Sequence, residues 1–221
     1  MLDIFDILGP IMVGPSSSHT AGAVRIGRMA RTLLGSQPVK ADIGLHGSFA
    51  ETGEGHGTDR ALVAGLLGMH PDDLRIPHSF ELAKEQGLDF KFRVVNLRDA
   101  HPNTAVLTVW DRDGKELTVQ AVSTGGGRIR VDKINGVDVN FTGAYNTLVV
   151  RHIDVHGELN RITSELVAVN VNIANMSLFR SRRGGTVLTV IELDEKLTPD
   201  VLDRIRSIPD VKDVTYYEKE D

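Results

Sequence analysis

Asn146-Thr147-Leu148-Val149-Val150-Arg151-His152 opens the stretch whose reading decides the fold. Its β-branched run predicts a strand, and the amphipathic segment Glu158 to Val167 predicts a helix behind it. Val169 to Phe179 reads as a second strand, long enough to carry a bulge. The turn Ser181-Arg182-Arg183-Gly184-Gly185 leads into a third strand, Thr186 to Glu192. Thr198-Pro199 starts a second helix that runs to about Ser207, with proline in its first turn, where no N–H is missed. Val211 to Tyr217 closes the series. Strand, helix, strand, strand, helix, strand is the order of a ferredoxin-like βαββαβ domain. Arg180, Arg182 and Arg183 read as a solvated hairpin tip, and Glu218 to Asp221 as a frayed tail.

Upstream, the turn signal at Asn140-Phe141-Thr142-Gly143-Ala144 suggests a domain boundary, giving domains 1–143 and 146–221. A short apolar entry segment comes first. Ala21 to Leu34 then predicts a helix, with Ala23, Ile26, Gly27, Ala30, Leu33 and Leu34 on one apolar face and Gly35 as its stop. Arg25, Arg28 and Arg31 share another face, expected to be solvated. A strand Lys40 to His46 precedes a glycine-rich loop, 47–57, and helices Thr58 to Leu67 and Ser79 to Gln86. Strands Phe90 to Val95, Thr104 to Trp110, Glu116 to Ser123 and Arg128 to Ile134 follow, the middle two joined by the hairpin signal Asp111-Arg112-Asp113-Gly114. The fold class is therefore α+β: a mixed α/β domain followed by the βαββαβ domain.

Composition narrows the function. A net charge of −5 without a basic tract argues against nucleic acid as a partner. No apolar run is long enough for a membrane span and no export signal is evident, so no membrane partner and a cytoplasmic location are expected. The chain has no cysteine, so it holds no disulfide, Cys-ligated zinc, thiolate-bound iron–sulfur cluster or cysteine nucleophile.

Three polar clusters and one glycine run carry candidate chemistry. Gly14-Pro15-Ser16-Ser17-Ser18-His19-Thr20 crowds hydroxyls and an imidazole at a helix start, where free N–H groups and the helix dipole favour an anion. One cap needs one hydroxyl; this run has several. Gly55-His56-Gly57-Thr58-Asp59 stands at a second loop-to-helix junction, and His101-Pro102-Asn103-Thr104 at a loop-to-strand junction. Ser123-Thr124-Gly125-Gly126-Gly127 is a candidate backbone nest for an anion or a bend at a sheet edge. His19, His46, His56 and His101 could in principle ligate a metal. They lack the close pairing of strong metal motifs, so no metal site is expected in this chain alone.

Together, and in this order, the Ser-Ser-Ser-His-Thr, Gly-His-Gly-Thr-Asp, His-Pro-Asn-Thr and triple-glycine segments resemble the β subunit of the two-chain, iron–sulfur L-serine dehydratases of bacteria. The resemblance covers essentially the whole chain. It implies a substrate-binding-type first domain, similar in fold to part of some phosphoglycerate dehydrogenases, and an amino-acid-binding ACT domain after it. It further implies an α subunit whose cysteines carry a [4Fe–4S] cluster, conversion of L-serine to pyruvate and ammonia, and self-association through the ACT domain.

On that footing His56 is the expected general base, with His19 as the alternative or as its orienter. Ser16, Ser17, Ser18 and Thr20 would hold the carboxylate, with Gly57, Thr58, Gly125 and Gly126 lining the same site. Asp59 would fix a ring tautomer, Asn103 or Thr104 would hold the amino group, and His101 would line the same substrate site. Gly157, in the loop Asp154-Val155-His156-Gly157, would form a regulatory pocket with Asn172 and Asn175. Two rival readings are a non-catalytic amino-acid sensor and a stand-alone histidine metalloenzyme.

Overall fold

The computed structural model describes residues 12–219, so most of the apolar entry segment and the last two residues of the tail lie outside it. The chain divides into two compact units, Met1–Gly136 and Val137–Asp221.

In the first unit a π-helical turn, Ser17–Ala21, runs straight into helix α1, Gly22–Leu34. Strand β1 is Lys40–His46. The segment expected to be an open loop instead forms two short helical turns, α2 (Ser48–Glu51) and α3 (Gly53–His56). Gly47, at φ 54° and ψ −125°, bends the chain off β1, and the Thr52 and His56 N–H groups close the turns onto the Ser48 and Thr52 carbonyls. Helices α4 (Thr58–Leu66) and α5 (Ser79–Glu85) follow. Strands β2 (Asp89–Val94), β3 (Thr104–Trp110), β4 (Glu116–Gly125) and β5 (Arg128–Ile134) complete the unit. The order β2-β1-β3-β4-β5 is mixed: β1 and β2 are parallel and the other neighbours antiparallel. Asp111 makes the β3–β4 turn, its carboxylate accepting from the Asp113 and Lys115 N–H groups.

α1 is buried on more than the predicted stripe, since Val24 and Met29 are as inaccessible as Ile26. It packs against both the sheet and α4. The α1–α4 crossing is a glycine contact. A Cβ on Gly27 would fall 2.3 Å from the Leu62 carbonyl, and one on Gly65 would fall 2.1 Å from that of Val24. Only hydrogen at both positions permits that approach.

The arginines of α1 do not form a solvated face. Arg25, Arg28 and Arg31 are part-buried and donate to the carbonyls of Gly127 (2.9 Å), Gly68 (2.7 Å) and Leu66 (3.0 Å). Their i, i+3 spacing was legible. The need for it lies in orphan carbonyls at the end of α4 and in two glycine turns.

The second unit opens on a strand, β6 (Val137–Phe141), in the stretch read from sequence as a bare join. Asn135-Gly136, both at left-handed φ (49° and 77°), is the turn signal that announces it. Then come β7 (Asn146–Ile153), α6 (Glu158–Ala168), β8 (Ile173–Arg180), β9 (Thr186–Leu193), α7 (Pro199–Arg206) and β10 (Val211–Tyr217). The antiparallel order β10-β7-β9-β8 is that of the expected βαββαβ domain. β8 starts four residues later than predicted, because Asn170 at φ 56° turns the chain after α6. The expected irregularity appears as a register shift between Ile173 and Asn175. Leu148, Val150, Ile162, Leu166, Ile191 and Ile205 form the core between sheet and helices. Each such buried side chain stabilises the fold by roughly 1.5–3 kcal/mol.

Candidate active site

The glycine crossing sets α1 and α4 side by side with their N-terminal ends together. His19 in the π-turn and His56 just before α4 therefore meet, with ring centroids 5.0 Å apart and ring planes at 70°. Thr20 Oγ1 donates to the His56 carbonyl at 3.4 Å and ties the two segments.

His19 is firmly held. Its backbone N–H donates to Ser16 Oγ (3.1 Å), the cap of the π-turn. Its Nδ1 lies 3.4 Å from the same hydroxyl, its Nε2 lies 3.1 Å from Ser48 Oγ, and the buried Phe49 ring meets it at 5.3 Å. Burial first, and then the neighbouring His56 imidazole, hold the His19 ring below the usual histidine range; the Ser48 backbone carbonyl opposes them. His56 is exposed at the end of α3, between Gly55 and the left-handed Gly57 (φ 69°).

Ser17 and Ser18 are half-buried in the π-turn, and Ser18 Oγ would lie 3.9 Å from a Cβ on Gly125. Gly125, Gly126 and Gly127 all have left-handed φ (97°, 61° and 74°), so the triple-glycine turn needs that composition. Ser123 and Thr58 are wholly buried, and their hydroxyls lack a hydrogen-bond partner among the described residues. Asp59 Oδ1 accepts from the Arg60 N–H.

The 101–104 loop is fastened to the same region: the Pro102 carbonyl accepts from the Phe49 N–H, and the Asn103 carbonyl from the Ser123 N–H. His101 is exposed, and its Nδ1 accepts from the Asn103 N–H. Thr104 is buried and donates to the His101 carbonyl at 2.6 Å. His46 does not join the pair; its Nδ1 lies 3.2 Å from the Val95 carbonyl and 3.3 Å from the Leu97 nitrogen. Among the described residues there is no group of three or more His, Cys, Asp or Glu poised around a metal ion.

Sequence reasoning missed Ser48 and Phe49. The signal was present: Gly47-Ser48 follows directly on β1, at the carboxyl end of a strand, where α/β folds commonly place ligand groups.

In the second unit Gly157 is left-handed (φ 84°) and caps α6. Asn175 Nδ2 donates to Glu192 (2.9 Å), and Asn172 Nδ2 to Asp194 (2.6 Å). The two amides are thus engaged with carboxylates of β9 and the turn behind it. Among the described residues, no helix is long and apolar enough to cross a membrane.

Known proteins share this plan. A family model for the serine dehydratase beta chain matches residues 1–86, and one for the ACT domain matches residues 146–210. The chain is 40% identical over 212 residues to the probable L-serine dehydratase beta chain of Bacillus subtilis (strain 168), covering 96% of each. It is 39% identical over 215 residues to the L-serine dehydratase beta chain of Peptoniphilus asaccharolyticus, covering 97% of each. It is also 28% identical over 200 residues to the D-3-phosphoglycerate dehydrogenase of Archaeoglobus fulgidus, covering 89% of this chain and 37% of that one. Two relatives near 40% identity, matched almost end to end, and an ACT domain where the βαββαβ unit lies place the protein: it belongs to the L-serine dehydratase beta-chain family.

Proposed function

We propose that this chain is the β subunit of an L-serine ammonia-lyase, that it grips the amino acid, and that His56 takes the Cα proton. The observation that carries this reading is the His19–His56 pair, 5.0 Å apart, set among the hydroxyls of one helix start.

Loss of the Cα proton and of the Cβ hydroxide converts serine to an enamine. The enamine becomes an imine, and water releases pyruvate and ammonia. Charge grows on the carboxylate side as the proton leaves. Ser16, Ser17, Ser18 and Thr20, with the first N–H groups of the helix, are donors for it. Gly125 and Gly126 let the backbone approach the ligand closely. Gly57 and Thr58 offer the start of α4 to the same anion, and the Thr58 hydroxyl, which lacks a partner among the described residues, is a further donor. His56, exposed between glycines, has the freedom to reach a substrate. Asn103 meets the amino group with His101 beside it, while Thr104 secures their loop.

A chain without cysteine cannot hold an iron–sulfur cluster by thiolates. We assign the [4Fe–4S] cluster to an α subunit, where it would supply Lewis-acid polarisation of the leaving hydroxyl. The work is then divided between domain 1–143, which binds substrate, and ACT domain 146–221. In the ACT domain Gly157, Asn172 and Asn175 border an amino-acid site, and its sheet supports self-association. The cytoplasm is the expected compartment.

Anaerobic co-purification with the cysteine-bearing subunit, followed by a pyruvate-release assay, tests the reading. Pyruvate formation should require both chains. Replacing His56 by Ala should slow turnover about 100-fold, the usual scale for a lost general base. Near-normal turnover of that variant removes His56 from the role. The likeness to a D-3-phosphoglycerate dehydrogenase supports a second reading, in which the first domain only senses an amino acid; serine binding without pyruvate in the two-chain assay would favour it.

A further inference from the structure

The two paired imidazoles are held very differently. Both nitrogens of His19 face hydroxyls, Ser48 Oγ at 3.1 Å and Ser16 Oγ at 3.4 Å, and its ring abuts Phe49. The ring of His56 makes no hydrogen bond among the described residues. The ring centroids are 5.0 Å apart, so a His19 ring free to turn would change what the His56 imidazole meets.

Ser48 is well placed to prevent that. It stands directly after Gly47, whose φ of 54° no ordinary side chain adopts easily. A Cβ there would fall 2.8 Å from the Cα and carbonyl oxygen of Pro102, so the 101–104 backbone packs on this glycine. Thr52 fixes the turn from the other side, through its N–H (3.0 Å) and Oγ1 (2.8 Å) to the Ser48 carbonyl. The Ser48 hydroxyl is therefore positioned by backbone.

We propose that Ser48 is a positioning residue: its hydroxyl clamps Nε2 of His19, keeps that ring in one orientation, and so leaves His56 as the imidazole that exchanges the substrate proton. The inference rests on the base assignment above. It adds a role for Ser48, which the sequence motifs do not include. To turn, the His19 ring must give up the contact to Ser48 and the longer one to Ser16.

The test is nitrogen-15 NMR of the His19 ring in the full-length chain, read beside turnover of the two-chain enzyme. The native protein should show an Nε2 signal displaced from that of a free imidazole by its hydrogen bond to Ser48. Ser48→Ala, which keeps the backbone carbonyl bonded to Thr52, should move that signal toward the free value. Ser48→Thr should restore it. Ser48→Ala should also lower kcat about tenfold, the worth of one hydrogen bond, with KM nearly unchanged. Ser48→Thr should recover most of that loss. Unaltered ring signals in folded Ser48→Ala overturn the clamp, and altered signals with full turnover overturn its role in positioning. If the native two-chain enzyme released no pyruvate, the base assignment would fall, while the NMR comparison would still decide the clamp.

Discussion

His152 in the second unit and the His19–His56 pair in the first show how context decides what an imidazole does. His152 is 2% exposed; its Nδ1 lies 2.9 Å from the Ile153 carbonyl and its Nε2 2.9 Å from Thr189 Oγ1. It is a core residue with both nitrogens satisfied inside a sheet. His19 is also bonded at both nitrogens, but its partners are serine hydroxyls and its ring faces a second, exposed imidazole. Hydrogen bonding alone therefore does not separate structure from function. The difference lies in what the ring faces and in whether a substrate can reach it.

The largest effect should come from the crossing that makes the pair. Gly65→Val drives a side chain into the Val24 carbonyl, so α1 and α4 must separate. Overpacking of this kind costs about 3 kcal/mol or more. Thermal unfolding should register that cost, and the two-chain enzyme should lose turnover even where the variant folds. A native-like Tm with full activity would break the link between crossing and site.

The next effect falls on the other side of the comparison. Thr189→Val leaves His152 Nε2 buried without its partner, which costs about 1–3 kcal/mol. The protein offers a clean readout: its single tryptophan, Trp110, is in the first unit, and all three tyrosines, Tyr145, Tyr216 and Tyr217, are in the second. Tyrosine-detected unfolding should shift while pyruvate release at moderate temperature does not.

The smallest effect is pH-dependent. Because the folded protein favours neutral His19, the unfolded chain binds more protons between the lowered folded value and the ordinary 6.5. Stability from this source is complete above about 6.5 and declines as the pH falls below it. Denaturant titrations followed by Trp110 fluorescence should show that decline, and His19→Gln should flatten it. An equal slope in both proteins would place the acid sensitivity elsewhere.

Much of this molecule is legible in its residues. Lys40–His46, Thr104–Trp110, Arg128–Ile134 and Val211–Tyr217 have the strand limits their β-branched runs suggest. The same holds for the βαββαβ order and for the hydroxyl-rich helix start. Less was legible around Gly47–Gly57, where the apolar signal is weak and two short turns depend on a bend at one glycine. The arginines of α1 were misread for a similar reason. Their spacing is local, whereas the carbonyls they satisfy belong to other segments.

The sequence alone determined which segments are strands and helices, because alternation, β-branching and capping act between near neighbours. It also excluded thiolate chemistry from this chain. Only the tertiary structure decided that Gly27 and Gly65 would face each other, that Ser48 would reach His19, and that one imidazole would be held while its neighbour stayed exposed. Those outcomes depend on approaches of a few ångströms between residues roughly 30 to 40 positions apart, which arise only when the helices pack and the chain entropy opposing their contact has been overcome.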